Sequence, residues 1–249
     1  MNIRDIKNKI NILFNINKLT NTMSMISFSK MNKFYNKVFI LNKLYIETKK
    51  ITLEIYNFKK NNLFCCILIT TNKGFCGNIN NEIIKIFLKF LKNNKNLEVI
   101  IIGKKAIDFF NKKNILIKKQ LLFDEKSDVF FDKKTINLIK TYQNVFFLSN
   151  KIINNIIKPI KTDIFTIKKK SFFEKKYMDN NIIEKYINFS FKYLYTENYF
   201  CELKLRMLTM KTASDNSKKI IKDMNLLKNK IRQFKVTQEM LEIINGSNL

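Results

Sequence analysis

The 249-residue chain is 46% apolar, enough for a real core in one large domain or two small ones, and it carries a formal charge of +27. It has no histidine, the commonest general base and metal ligand, and its four cysteines, Cys65, Cys66, Cys76 and Cys201, form no CxxC pair, which argues against a zinc site. Lys, Asn, Ile and Phe dominate and arginine occurs only three times, a pattern of AT-rich coding, so the charge alone does not choose among nucleic acid, lipid and acidic protein as partner.

The residues that break regular structure are confined. No glycine or proline occurs in residues 1–73 or 160–245, so two long terminal segments flank a middle that contains Gly74, Gly77, Gly103 and Pro159. The first segment reads as helix. Ile3, Ile6, Ile10, Leu13, Ile16, Leu19, Met23 and Ile26 step by three and four, and Met31, Phe34, Val38, Leu41 and Tyr45 continue the stripe.

The middle alternates between short apolar runs and helical spacing. "LFCCILITT" (63–71), "LEVIIIG" (97–103) and "NVFFLSN" (144–150) predict strands. "NNEIIKIFLKFLKNN", "KKAIDFFNKKN" and "DKKTINLIKTYQ" predict the helices between them. Alternation of this kind predicts βαβ units and a parallel sheet, with an edge strand expected after Pro159. The adjacent thiols Cys65 and Cys66 lie inside the first apolar run and read as buried, reduced core residues.

The stretch "ITTNKGFCGNIN" (69–80) joins the first strand to the first middle helix. It lacks the Gly-Lys-Ser/Thr of a phosphate loop and the third glycine of a dinucleotide fingerprint. It reads as a structural turn in which Gly74 and Gly77 supply turn geometry and Cys76 packs beneath. No acid, base and nucleophile constellation occurs elsewhere, so no catalytic residue, cofactor or metal is assigned to the chain.

The C-terminal segment carries its own stripe through Leu203, Met207, Met210, Ile220, Met224, Leu227, Ile231 and Phe234, with Gln238 in the seam and Leu241 beyond. The fold class is therefore α/β: a long antiparallel coiled coil of N- and C-terminal helices plus a small Rossmann-like middle domain. The expected division is 1–57 for the N-terminal helix, 63–170 for the globular domain and 176–249 for the C-terminal helix. At about 1.5 Å per residue the helices reach roughly 85 and ~100 Å, so the last ~15 residues extend past the pair as a lone tip.

Five stretches resemble the gamma subunit of F-type ATP synthase. "RMLTMKTASDNSKKIIKDMNLLKNKIRQFKVTQEMLEIINGS" (206–247) is similar to that family's C-terminal signature, and "IRDIKNKI…INKLTNTMSMISFSKMNK" to its first helix. "TTNKGFCGNIN" resembles its strand-to-helix turn, and "IGKKAIDFFNKKN" and "FFLSNKIINN" its middle domain. Lys73 stands where the family favours arginine, Asn78 where it favours a second glycine, and Asn21 where lysine is common.

The resemblance implies a central rotor shaft that couples proton-driven rotation of the c-ring to ATP synthesis or hydrolysis at beta-subunit sites. The implied partners are the alpha, beta, epsilon and delta subunits and the c-ring, with no nucleic acid and no direct membrane insertion. The implied location is the cytoplasmic face of a bacterial inner membrane, as a peripheral protein, since no targeting segment and no apolar run of ~18 residues is visible. Met23, Arg206, Arg232, Gln233, Thr237 and Glu239 are the contact residues the motif match implies for the alpha/beta hexamer. Arg206 and Arg232 are two of three arginines in a chain that otherwise uses lysine, which suggests that the planar guanidinium fork is needed at both. The alternative function is a basic coiled-coil nucleic-acid-binding protein, although the lysines form no basic block.

Overall fold

The structure, a computed structural model, describes residues 3–55, 64–94, 97–124, 129–142, 144–164 and 180–246. The ends of the expected helices at residues 1–2, 56–57, 176–179 and 247–249 lie outside the described residues. In chain order the elements are α1 (Ile3–Ile55), β1 (Phe64–Ile69), α2 (Ile79–Asn93), β2 (Leu97–Ile102), α3 (Lys104–Lys112), β3 (Lys119–Leu121), α4 (Lys133–Lys140), β4 (Asn144–Ile153), β5 (Ile156–Asp163) and α5 (Asn180–Gly246). The chain divides into two compact units, one of Met1–Phe28 with Arg206–Leu249, the other of Ser29–Leu205. Both dividing points fall inside a long helix.

The larger unit is built on a five-stranded sheet of order β3-β2-β1-β4-β5. The β1–β2, β1–β4 and β2–β3 pairs are parallel, and β5 returns antiparallel to β4 as a hairpin. The parallel expectation thus holds for the three strands it rested on, β1, β2 and β4, while the edge strand β5 is antiparallel. A connection of two residues, Asn154 and Asn155, both at positive φ, leaves no room for a crossover helix. The edge strand begins before Pro159, which pairs with Asn150, and proline is tolerated there because an edge strand needs a donor on one side only. The short edge strand β3 was not foreseen in the sequence.

Strand alternation sorts the core into two layers. Cys66 and Leu68 face α2 and α3, where they pack with Ile83, Phe87, Val99, Ile101, Ala106 and Phe110. Cys65, Ile67 and Ile69 face the other way, toward Ile136 and Ile139 of α4 and Ile183, Ile187 and Phe191 of α5, with Leu41 and Tyr45 of α1 in the same cluster. The adjacent cysteines therefore point to opposite faces, which excludes a vicinal dithiol site. Burial raises both thiols, Cys65 to about 12, so neither supplies a thiolate at neutral pH.

Aromatic stacking ties α5 to the sheet. Phe191 is fully buried and lies between Phe131, 3.9 Å away by ring centroid, and Phe147, 6.2 Å away. Polar anchors fix the same helix lengthwise. The Asn150 backbone N–H and side-chain amide both donate to Asn198 Oδ1, at 3.0 and 2.9 Å. Tyr45 stacks on Tyr193 at 4.8 Å, and Phe34 meets Tyr199 edge-on at 5.1 Å, so within this unit α1 and α5 run antiparallel.

In the smaller unit the two helices also pair antiparallel, but the contact face differs from the apolar stripe. Ile6 is buried and Ile10 and Leu13 are half-buried, as the spacing predicts. From there Ile16, Leu19 and Ile26 turn outward at 45%, 59% and 57% exposure, while Thr20, Ser24 and Ser27 are buried. On α5 the buried positions are Arg206, Met210, Ser214 and Ser217. Small side chains at the seam leave room for cross-helix bonds, as from Asn17 and Ser24 to the carbonyls of Ser214 and Met207, and the larger residues lie on the flanks.

Candidate functional site

The strand-to-helix turn is held by polar groups on both sides. The Thr71 N–H donates to Asn80 Oδ1 at 3.1 Å, and Asn80 Nδ2 donates back to Thr71 Oγ1 at 2.8 Å. The Thr71 hydroxyl donates in turn to the Lys73 carbonyl at 2.8 Å. Cys76 sits beneath the turn, 1% exposed, and packs with Ile79 and Cys201. Left-handed backbone falls on Phe75 and Gly77, at φ 60° and 66°. Asn78 has φ −93° and its carbonyl accepts the Glu82 N–H, so a side chain is accommodated in the slot where the resembled family favours glycine.

Gly103, at the end of β2, was not singled out in the sequence and carries a stronger demand. Its φ is 105°, and a Cβ there would lie 2.3 Å from the Thr70 carbonyl oxygen. Thr70 spans this junction. Its N–H and hydroxyl both donate to the Ile102 carbonyl, and its hydroxyl accepts the Ala106 N–H.

A cleft of about 300 Å³ lies beside this junction, at the carboxyl ends of the strands, where open α/β sheets receive ligands. Here Tyr195, Asn198, Tyr199 and Glu202 of α5 form one wall, and Asp124 joins Lys73 on the other. Two carboxylates facing the cleft oppose a phosphate group, and no group of three metal-ligating side chains exists among the described residues.

A second polar cluster lies in the same unit. Lys151 Nζ donates to Tyr193 Oη at 3.1 Å and pairs with Glu197 at 3.6 Å. Burial raises Glu197 above the ordinary carboxylate range, partly opposed by Lys151, and one of its oxygens has no hydrogen-bond partner.

The six contact residues implied by the motif fall into two groups. Met23 and Arg206 belong to the paired part of the smaller unit. The Ser24 hydroxyl donates to the Met207 carbonyl at 3.1 Å, so their neighbours Met23 and Arg206 stand at one level of the pair. Met23 is half-buried, and Arg206 is buried within this chain rather than on a solvated flank.

Arg232, Gln233, Thr237 and Glu239 form the second group, and all are exposed. Antiparallel counting from Ser24 and Met207 puts Ile3 level with about residue 228, so α1 ends where this stretch begins. Every residue from 232 to 246 is exposed, including Phe234 (69%), Met240 (61%) and Ile243 (72%). This is the lone tip that the helix lengths predict. The Thr237 hydroxyl donates to the Gln233 carbonyl at 2.9 Å, which leaves the Gln233 amide and the charged ends of Arg232 and Glu239 directed at the surroundings.

A five-stranded sheet covered by helices, and two long helices paired antiparallel with an exposed end, define an α/β protein carried on a helix pair. A family model described as ATP synthase matches residues 2–248. The chain is 30% identical to the ATP synthase gamma chain of Buchnera aphidicola subsp. Melaphis rhois, over 98% of this chain and 97% of that one. It is also 30% identical to the gamma chain of Mycoplasma mycoides subsp. mycoides SC, over 99% and 98%. In fold it is similar to a chain of the Euglena gracilis mitochondrial ATP synthase solved as OSCP/F1/c-ring in rotational state 3, with a TM-score of 0.72, 17% identity, and coverage of 99% and 93%. A chain of the rotor of the same enzyme matches with a TM-score of 0.69, 15% identity, and coverage of 94% and 98%. This chain belongs to the gamma-chain family of ATP synthases. Neither its relatives nor its fold supports the nucleic-acid alternative.

Proposed function

We propose that the chain is the central shaft of a rotary ATP synthase, which turns with a proton-driven c-ring and drives the beta-subunit sites in succession through binding, synthesis and release. Family membership along the whole chain is the observation that carries this reading. The geometry supports it in two ways. The helices α1 and α5 span 53 and 67 residues without an internal glycine or proline, which suits a part that resists bending. Their outer faces carry exposed Ile12, Phe14, Leu19, Phe28 and Phe234, an apolar surface that fits enclosure by a protein sleeve better than water.

On this reading the catalytic groups belong to other chains, and the shaft acts by differential contact. Each of three equivalent sites meets a different face of an asymmetric helix pair, and the difference in contact free energy shifts its conformational equilibrium. Arg232, Gln233, Thr237 and Glu239 on the bare end, with Met23 lower on the pair, are the residues proposed to touch the alpha/beta hexamer. Arg206 is proposed to act from within the pair at the level of Met23. The larger unit is proposed to meet the c-ring and the epsilon subunit on the cytoplasmic face of the membrane, with delta elsewhere in the complex. No described helix is long and apolar enough to cross a membrane, in keeping with a peripheral subunit.

The test is reconstitution. The chain mixed with alpha, beta, delta and epsilon subunits and membrane sector should restore proton-coupled ATP synthesis. Assembly without coupling, or no assembly, refutes the proposal.

A further inference from the structure

The paired part of the smaller unit has an unusual seam for two helices that must not slide. Its buried face is made of Thr20, Ser24 and Ser27 on one side and, beside Arg206 and Met210, of Ser214 and Ser217 on the other. Small side chains of similar size replace one another when a helix shifts by a turn, so packing there discriminates weakly between registers. In coiled coils a single buried asparagine supplies the missing discrimination.

Asn17, half-buried beside the seam, makes cross-helix contacts of that kind. Its Nδ2 reaches across to the Ser214 carbonyl at 2.6 Å, the Ser214 hydroxyl at 3.1 Å and the Ser217 hydroxyl at 2.9 Å. Ser217 in turn donates to the Ser214 carbonyl at 2.7 Å, which orients its oxygen toward the amide. One heptad along both helices, the Ser24 hydroxyl meets the Met207 carbonyl. That second contact does not select a register by itself, because every residue offers a carbonyl. The hydroxyls at 214 and 217 occur together at one level. A slip of seven residues would offer the Asn17 amide another carbonyl but set it against the side chains of Met207 and Met210, or of Ile221 and Met224, and cost it both hydroxyl partners.

We propose that Asn17 is the register pin of the paired helices: a positioning residue that holds Met23 and Arg206 at one level while the shaft is loaded. Its link to coupling rests on the rotor reading above, but the register itself is measurable without it. Lys9 and Lys211 are exposed on α1 and α5, and cysteines placed there take spin labels on the full-length chain. The native chain should give one distance.

Asn17→Ala should keep its helicity and add a second population displaced by about 5–10 Å, one turn or one heptad of slip. Loss of the bond network should weaken the preference for the native register about fivefold or more. Asn17→Gln, which keeps an amide donor, should restore the single distance, and Ser214→Ala with Ser217→Ala should reproduce the slip. In the reconstituted enzyme Asn17→Ala should lower coupled synthesis relative to Asn17→Gln. A single native distance in Asn17→Ala overturns the pin, as does equal slip in Asn17→Gln. Slip with full coupling overturns its role in transmission. If even the native chain confers no coupling, the rotor reading fails and the distance result still decides the pin.

Discussion

Gly103 is the position where one added methyl group should do most damage. At φ 105° an L side chain is strained, and an alanine Cβ would fall 2.3 Å from the Thr70 oxygen and 2.7 Å from the Thr70 carbonyl carbon. Both are backbone atoms, held by the Thr70 bonds to Ile102 and Ala106, so no flexible side chain can give way. Strain and overlap each cost about 1–3 kcal/mol, which places Gly103→Ala at ~2–6 kcal/mol. A domain of this size is stable by only about 5–15 kcal/mol, so the melting temperature should fall by roughly 10 °C. The control is Gly74→Ala. A Cβ at Gly74 meets only the end of the Lys105 side chain, at 3.8 Å, and should cost within about 0.5 kcal/mol. Urea and thermal unfolding of the full chain give both values. Equal stability of the two variants would refute the steric argument.

Three further outcomes follow from contacts already described. Asn80→Ala leaves the Thr71 N–H without its acceptor and takes one donor from the Thr71 hydroxyl, which keeps its bond to the Lys73 carbonyl, and should cost about 1–3 kcal/mol in the same unfolding experiments, more than Asn78→Ala, whose side chain makes no cap bond. Glu197 is raised by burial, so the folded state holds its proton more tightly than the unfolded one. Its contribution therefore falls as pH rises from the ordinary carboxylate range toward neutrality, and Glu197→Gln should flatten that part of the stability–pH curve. Arg232→Ala, on the bare end of α5, should lower coupled ATP synthesis in the reconstituted complex while circular dichroism of the chain stays unchanged.

The sheet was legible because β1, β2 and β4 are continuous apolar runs, the signature of strands covered on both faces. β3 was not, since "KQL" has three residues and an exposed centre. The lone end of α5 followed from helix lengths alone. The face of α1 did not, because periodicity assumes that apolar residues seek the partner helix. Between Ile16 and Ile26 the seam belongs to Thr20, Ser24 and Ser27, and the apolar residues look outward. The motif match names Met23 and Arg206, yet it could not show that Arg206 is buried. Asn17 left no periodic signal, since an asparagine between Ile16 and Lys18 reads as an ordinary polar position.

The pairing of Asn17 with Ser214 spans 197 residues, which sets an order of events during synthesis. The ribosome adds about 5–20 residues per second, so the first helix waits roughly 10–40 s before its mate exists. The strands β1, β2 and β4 complete their pairings well within that time. Throughout it Asn17 waits for Ser214 and Ser217, so this contact is among the last that the growing chain can make.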